Sequence, residues 1–230
     1  MARQFRAVIF DLDGVLVDSE IWWDQVRAEF AERHGRPWTV ADRAAVMGSN
    51  SRQWSETMRS RLGLTMSAGE IERAVVDGVV ARYRTEGAPV VDDAVAVVRR
   101  VGRELLTAVA SSAHRDVIEA ALGGLGLAEA FDAVVSSDEV PRGKPEPDVY
   151  LETARRLGVE PGDCMVVEDS LNGVLAGREA GMTVVLIPNG SIAPEPGARD
   201  AASAVLERLA DLDPSALGAL GPQRPPVGAA

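Results

Sequence analysis

Two pairs of carboxylates and one lysine carry the chemistry that this sequence can do. Asp11 and Asp13 follow the apolar run Ala7–Phe10 and precede Gly14. Side chains two apart on an extended chain point the same way, so both carboxylates can face one site, and Gly14 permits a sharp turn away from the strand. The same pattern also serves as an ordinary acidic turn. Glu168 and Asp169 follow a second apolar run, Met165–Val167, and precede Ser170 and Asn172. The bland alternative there is a helix N-cap at Asp169 or Ser170. Several carboxylate oxygens brought together suit a hard cation such as Mg2+, which binds one or two carboxylates and keeps waters for substrate oxygens to replace. Ser111 and Ser112 end a third run and lead into a helix starting near His114. A hydroxyl with the free amides of a helix N-terminus binds phosphate, or else simply caps the helix. Lys144 stands between Gly143 and Pro145, with Pro147 close behind. The prolines stiffen this loop, which either presents the lysine to a site or leaves it solvated.

Such side chains need a frame, and the apolar pattern supplies one. Five short runs, Ala7–Phe10, Leu105–Ala110, Ala133–Val135, Met165–Val167 and Thr183–Ile187, are nearly continuous in apolar character. That suits strands buried on both faces of a parallel sheet. Helical spacing fills the gaps: Val95, Val98 and Val101 before Gly102, Val117 to Leu122 before Gly123, Val149–Leu157 before Gly158, and Leu171–Ala180 before Gly181. Glycine just past the last apolar turn is a stop signal. The alternation predicts an α/β fold, a doubly wound parallel-sheet (Rossmann-like) core. Both acidic pairs then fall at strand C-termini, the edge where such sheets bind ligands.

The first crossover breaks the rhythm. Between Asp11 and Leu105 the pattern is helical: Asp18 or Ser19 can cap a helix through Phe30 to His34, Trp54, Met58 and Leu62 keep helical spacing, and Ser67–Glu70 is a capping box opening a helix through Tyr83 that Gly87 stops. The expected organisation is a core from residues 1–18 and 89–212, an inserted α-helical cap domain at 19–88, and a flexible tail at 213–230, rich in Pro, Gly and Ala.

Composition narrows the class. The 230 residues carry a formal net charge of −11, so most of the surface repels nucleic acid and anionic membranes. Cys164 is the only cysteine, which excludes an intrachain disulfide and a Cys/His zinc cluster, and it is expected in the core. His34 and His114 have no cluster around them and suit surface or capping roles. The N-terminal apolar run is too short for a signal peptide or a membrane span. The expectation is a cytoplasmic chain, a monomer or weak homodimer, with no nucleic-acid or membrane partner.

In order, Asp11–Ser19, Ala110–Ser112, Gly143–Asp148 and Val167–Gly173 resemble the four motifs of the haloacid dehalogenase-like (HAD) superfamily, in its phosphatase and β-phosphoglucomutase branch with a helical cap. The resemblance spans residues 5 to 190. It implies that Asp11 is a nucleophile that becomes an aspartyl-phosphate and that Asp13 is the general acid, then base. It implies further that Asp11, the Asp13 backbone carbonyl and Asp169 hold Mg2+, with Glu168 at or behind the metal, and that Ser111, Ser112 and Lys144 bind the phosphoryl group. Glu20, Trp23, Gly48, Ser51 and Arg52 fall near positions that line the cap–core cleft in similar proteins. The function implied is a Mg2+-dependent phosphatase acting on a small phosphorylated metabolite, plausibly a sugar phosphate. The alternatives are a phosphosugar mutase and a non-catalytic phosphometabolite-binding protein. Trp23 stands where mutase-like proteins place a histidine, and Val91–Asp92 replaces a Pro–Gly pair common at the second linker. Relatives that hydrolyse carbon–halogen bonds lack the second aspartate that Asp13 supplies.

Overall fold

A computed structural model describes residues 4–47, 49–190 and 194–219. Six parallel strands form one sheet in the order β3-β2-β1-β4-β5-β6. They are β1 (Ala7–Phe10), β2 (Leu106–Ser111), β3 (Ala133–Ser136), β4 (Cys164–Glu168), β5 (Thr183–Leu186) and β6 (Ala204–Val205). The five runs expected as strands are β1 to β5. The sixth strand, two residues at the sheet edge, is too short to show as a hydrophobic run.

Alternation along each strand divides the core. Val8 and Phe10 of β1 join Val109 and Val167 in one cluster, while Ala7 and Ile9 join Ala108, Ala110 and Val166 in another. Burial on both faces explains the unbroken apolar runs. Helices α5 (Ala94–Val101) and α6 (Arg115–Gly124) cover the first face, and α7 (Asp148–Leu157) and α8 (Leu171–Glu179) the second. Helix α6 runs through Gly123, expected above to stop it. The positive φ that ends a helix belongs to Gly126, at 65°. A short α9 (Ala198–Ala201) precedes β6.

Between β1 and α5 come α1 (Glu20–Arg33), α2 (Val40–Val46), α3 (Ser51–Arg61) and α4 (Ala68–Glu86). The capping box at α4 is formed: the Ser67 hydroxyl accepts from Glu70 N–H at 3.3 Å, and Glu70 accepts from Ser67 N–H at 2.8 Å. Helix α2 went unread because its 7 residues make barely two turns; its signal was the Thr39–Asp42 capping box. Apolar side chains of α1 and α4 continue the cluster on the α5–α6 face. The two linkers into this helical layer meet, since Val17 bridges Val90 and Asp18 N–H donates to the Pro89 carbonyl at 2.8 Å. Of the expected tail, residues 220–230 lie outside the described residues; Leu217 packs against the core. No helix among the described residues is long and apolar enough to cross a membrane.

Candidate active site

The strand order reverses at β1, with β2 on one side and β4 on the other. That leaves a crevice at the strand C-termini, the usual ligand site of open α/β sheets. Asp11 extends β1, its N–H donating to the Val167 carbonyl at 2.9 Å, and Glu168 ends β4. Asp11, Glu168 and Asp169 each bring a carboxylate oxygen within 4.8 Å of the others. Two glycines make room for this crowding. Gly14, at φ 85°, turns the chain away, and a Cβ there would run into the Asp169 carboxylate. A Cβ on Gly173 would overlap the Glu168 carboxylate.

Lys144 reaches this cluster from its proline-flanked loop, which Arg142 braces by a two-pronged bond to Asp148 at 3.2 and 2.8 Å. Its ammonium donates to Asp11 Oδ1 at 2.6 Å, to Glu168 Oε1 at 2.5 Å and to the Ala110 carbonyl at 3.1 Å. Burial disfavours the ammonium, but the charges of Asp11 and Glu168 outweigh it and hold the Lys144 pKa well above its usual value. The solvated-lysine alternative is therefore excluded.

Glu168 is fully buried, and both its oxygens are committed. Oε1 also accepts from the Tyr150 hydroxyl at 2.7 Å, and Oε2 accepts from Asp169 N–H, Ser170 N–H and the Ser170 hydroxyl at 3.0, 3.1 and 3.0 Å. Burial raises its pKa, but Lys144 and these donors bring it below the ordinary carboxylate value. Lys144, Tyr150, Asp169 N–H and Ser170 thus take up both Glu168 oxygens.

The other carboxyls go the opposite way. Burial pushes Asp11 up to about 7, against the Lys144 ammonium. Burial and the charges of Glu168 and Asp11 hold Asp169 well above the carboxylate range. Asp13 is raised by burial too, although the Ser19 hydroxyl donates a hydrogen bond to it. Ser19 stands at the α1 N-cap without capping it; its hydroxyl is turned to Asp13 instead. A divalent cation between Asp11 and Asp169 would relieve this repulsion, and an all-oxygen donor set suits Mg2+.

A cavity of about 230 Å³ opens over these groups. Asp11, Asp13, Ser111, Ser112, Lys144 and Asp169 form its floor, and Glu20, Trp23, Arg27 and Trp54 come from the helical layer. The Ser111 hydroxyl accepts from Ala113 N–H at 3.0 Å, and His114, not a serine, is the N-cap of α6. Among the cleft residues expected from the cap, Glu20 and Trp23 line the cavity. Ser51 is buried and Arg52 exposed, and neither does so. Gly48 lies outside the described residues. Cys164 is buried, and His34 contacts the Phe30 carbonyl at 2.8 Å at the end of α1.

Sequence reasoning missed Tyr150, Ser19, Arg27 and Trp54 as parts of the site. Tyr150 and Trp54 fall within helical patterns that single out no chemistry, and Ser19 reads as a cap. Arg27 had one available signal, its place one helical turn after Trp23.

Residues 5–181 match the family model described as haloacid dehalogenase-like hydrolase. The chain is 34% identical over 200 residues to hexitol phosphatase B of Escherichia coli (strain K12), covering 81% of this chain and 85% of that protein. It is 34% identical over 180 residues to a phosphorylated carbohydrates phosphatase of Thermotoga maritima, covering 77% and 82%. CbbY from Rhodobacter sphaeroides, solved in complex with phosphate, has the same fold, with a TM-score of 0.81 at 24% identity over 91% of this chain and 96% of that one.

Proposed function

The chain belongs to the haloacid dehalogenase-like hydrolase family, in its phosphatase and mutase branch, and from that premise we propose that it is a Mg2+-dependent phosphatase of a small phosphorylated metabolite, in the class of sugar phosphates. The observation that carries this reading is the Lys144 ammonium held 2.6 Å from Asp11 over the sheet crevice, with Asp13 facing the same cavity. Carbohydrate-phosphate phosphatases among its relatives support the substrate class.

An Asp11 carboxylate oxygen attacks phosphorus, and the bond from phosphorus to the leaving oxygen breaks. The Asp13 carboxyl gives its proton to that oxygen, and burial, which raises its pKa, favours the protonated form this step needs. In the second half Asp13, now a carboxylate, takes a proton from water as the water oxygen attacks the aspartyl-phosphate, and the bond to Asp11 breaks. Ser111, Ser112 and Lys144 offset the charge of the phosphoryl oxygens. Asp11, Asp169 and the Asp13 backbone carbonyl would hold Mg2+, which supplies charge neutralisation and orientation when bound. Helices α1–α4, residues 19–88, act as a cap that selects the leaving group. A mutase reading uses the same nucleophile, but Trp23 occupies the cavity wall where a mutase-like histidine would stand.

The test is a panel of phosphate esters with and without Mg2+, for the native chain and Asp11→Asn, followed by phosphorus NMR. Free phosphate is expected from the native chain with Mg2+, and none above background from the variant. Equal release from both removes Asp11 as nucleophile; an isomerised ester without free phosphate establishes the mutase.

A further inference from the structure

Arg27 lines the cavity, and no step above uses it. It is 7% exposed, one helical turn beyond Trp23 on α1. Its guanidinium carbon lies 5.0 Å from the Trp23 ring centre and 5.2 Å from that of Trp54, so the cation sits in the corner of two indoles that meet edge to face, 6.1 Å apart. Its buried Nε has no hydrogen-bond partner, and the guanidinium makes no salt bridge within the described residues. Glu20, Asp24 and Asp13 act on it only through their fields, and burial draws its pKa down to about 10.

A buried charge without a partner is costly, and native structures rarely leave one. Contact with aromatic faces offsets part of the cost. The two rings also confine the fork, whose N–H donors match two oxygens of one anionic group. Trp23 and Trp54 thus hold a donor fork ready in a cavity that a ligand enters. The fork belongs to the helical layer, and its charge bears on Asp13, which faces the leaving oxygen. The phosphoryl group being transferred has its own cation, Lys144, on the floor.

We propose that Arg27 is a specificity-determining residue that grips a second anionic group, a carboxylate or a second phosphate, carried on the leaving-group portion of the substrate. This rests on the phosphatase reading for what the floor of the cavity holds. The preferred substrate is therefore a phosphoester with two anionic centres rather than a phosphorylated neutral polyol.

Calorimetry in Mg2+ tests it in the Asp11→Asn background, where ligands stay intact. Two matched pairs serve as probes: a phosphoglycerate against glycerol phosphate, and a hexose bisphosphate against the hexose monophosphate. In at least one pair the doubly anionic member is expected to bind about ten- to a hundredfold tighter, the worth of one charged hydrogen-bonded contact. The pair that shows it identifies carboxylate or phosphate. Adding Arg27→Met is expected to bring that ratio close to one, and Arg27→Lys, which keeps the charge without the fork, to an intermediate value. Equal binding within both pairs, or a ratio untouched by either Arg27 variant, overturns the proposal. Circular dichroism checks the fold of Arg27→Met; should it fail, the ratio in Arg27→Lys decides. The native chain, assayed on the same probes, keeps the two readings apart: the expected binding ratio without phosphate release sinks the phosphatase and leaves the Arg27 site standing.

Discussion

The carboxylates of the site compete for very little compensating charge. Lys144 serves both Asp11 and Glu168, while Asp13 and Asp169 are raised by burial. A buried acid whose pKa is raised on folding keeps its proton where the unfolded chain has already lost it. Stability is then greatest below the unfolded pKa and falls as pH rises toward the folded one. For Asp11 that window runs from 3.8 to about 7. Thermal melting without divalent ions is expected to show a midpoint that declines across this window, and Mg2+ is expected to restore most of the loss at its upper end. A midpoint that rises with pH in the metal-free chain contradicts this. Tyr150 offers a second check. Tyr150→Phe leaves Lys144 on Glu168 but removes a buried donor, and is expected to cost about 1–3 kcal/mol in urea unfolding. It is also expected to raise KM more than it lowers kcat, because Lys144 loses part of its support. The acids of the floor were legible because acids just after apolar runs are conspicuous. Their supports were not, since Tyr150 and Ser19 have the composition of ordinary core and cap positions.

At the scale of elements, strands and glycines do the positioning. The strands were readable because both sheet faces are covered, which leaves unbroken apolar runs. The edge strand β6 and the helix α2 were not, because neither is long enough to repeat a pattern. Gly123 misled for a related reason: a glycine in a helix costs about 1 kcal/mol against alanine, which packing can outweigh, so it marks an end only when the chain also turns there. Ser67→Ala removes one half of the α4 capping box and is expected to cost about 1 kcal/mol of unfolding free energy with little change in turnover. Gly173→Ala is expected to behave differently. Its new methyl meets the Glu168 carboxylate inside the first turn of α8, so Glu168 must move and Lys144 with it. Activity should fall by about tenfold or more, the loss expected when a charged anchor is displaced, and by a larger factor than in Ser67→Ala. Parallel measurements of kcat/KM and of chemical unfolding separate the two.

At the scale of the whole molecule, the net charge of −11 and an anionic substrate are compatible on one condition. The floor of the cavity must hold a cation before a phosphate dianion approaches. Calorimetry with inorganic phosphate is expected to show binding with Mg2+ and none detectable without it; equal affinity in both would mean that Lys144 alone suffices. The two linkers of the helical layer have a consequence of another kind. Because Asp18 N–H meets the Pro89 carbonyl at 2.8 Å, the 70 residues between them leave the sheet and return to it at one doorway. The strand order and the groups Asp11, Lys144 and Asp169 lie on the near side of that doorway, and just beyond it the Ser19 hydroxyl reaches Asp13. A helical insert from another family member that keeps Ser19, spliced between residues 18 and 89, should therefore leave hydrolysis of a small aryl phosphate intact while changing which metabolites are accepted. On the proposed reading, such a junction lets selection exchange the reader of the leaving group while the chemistry beneath it is inherited.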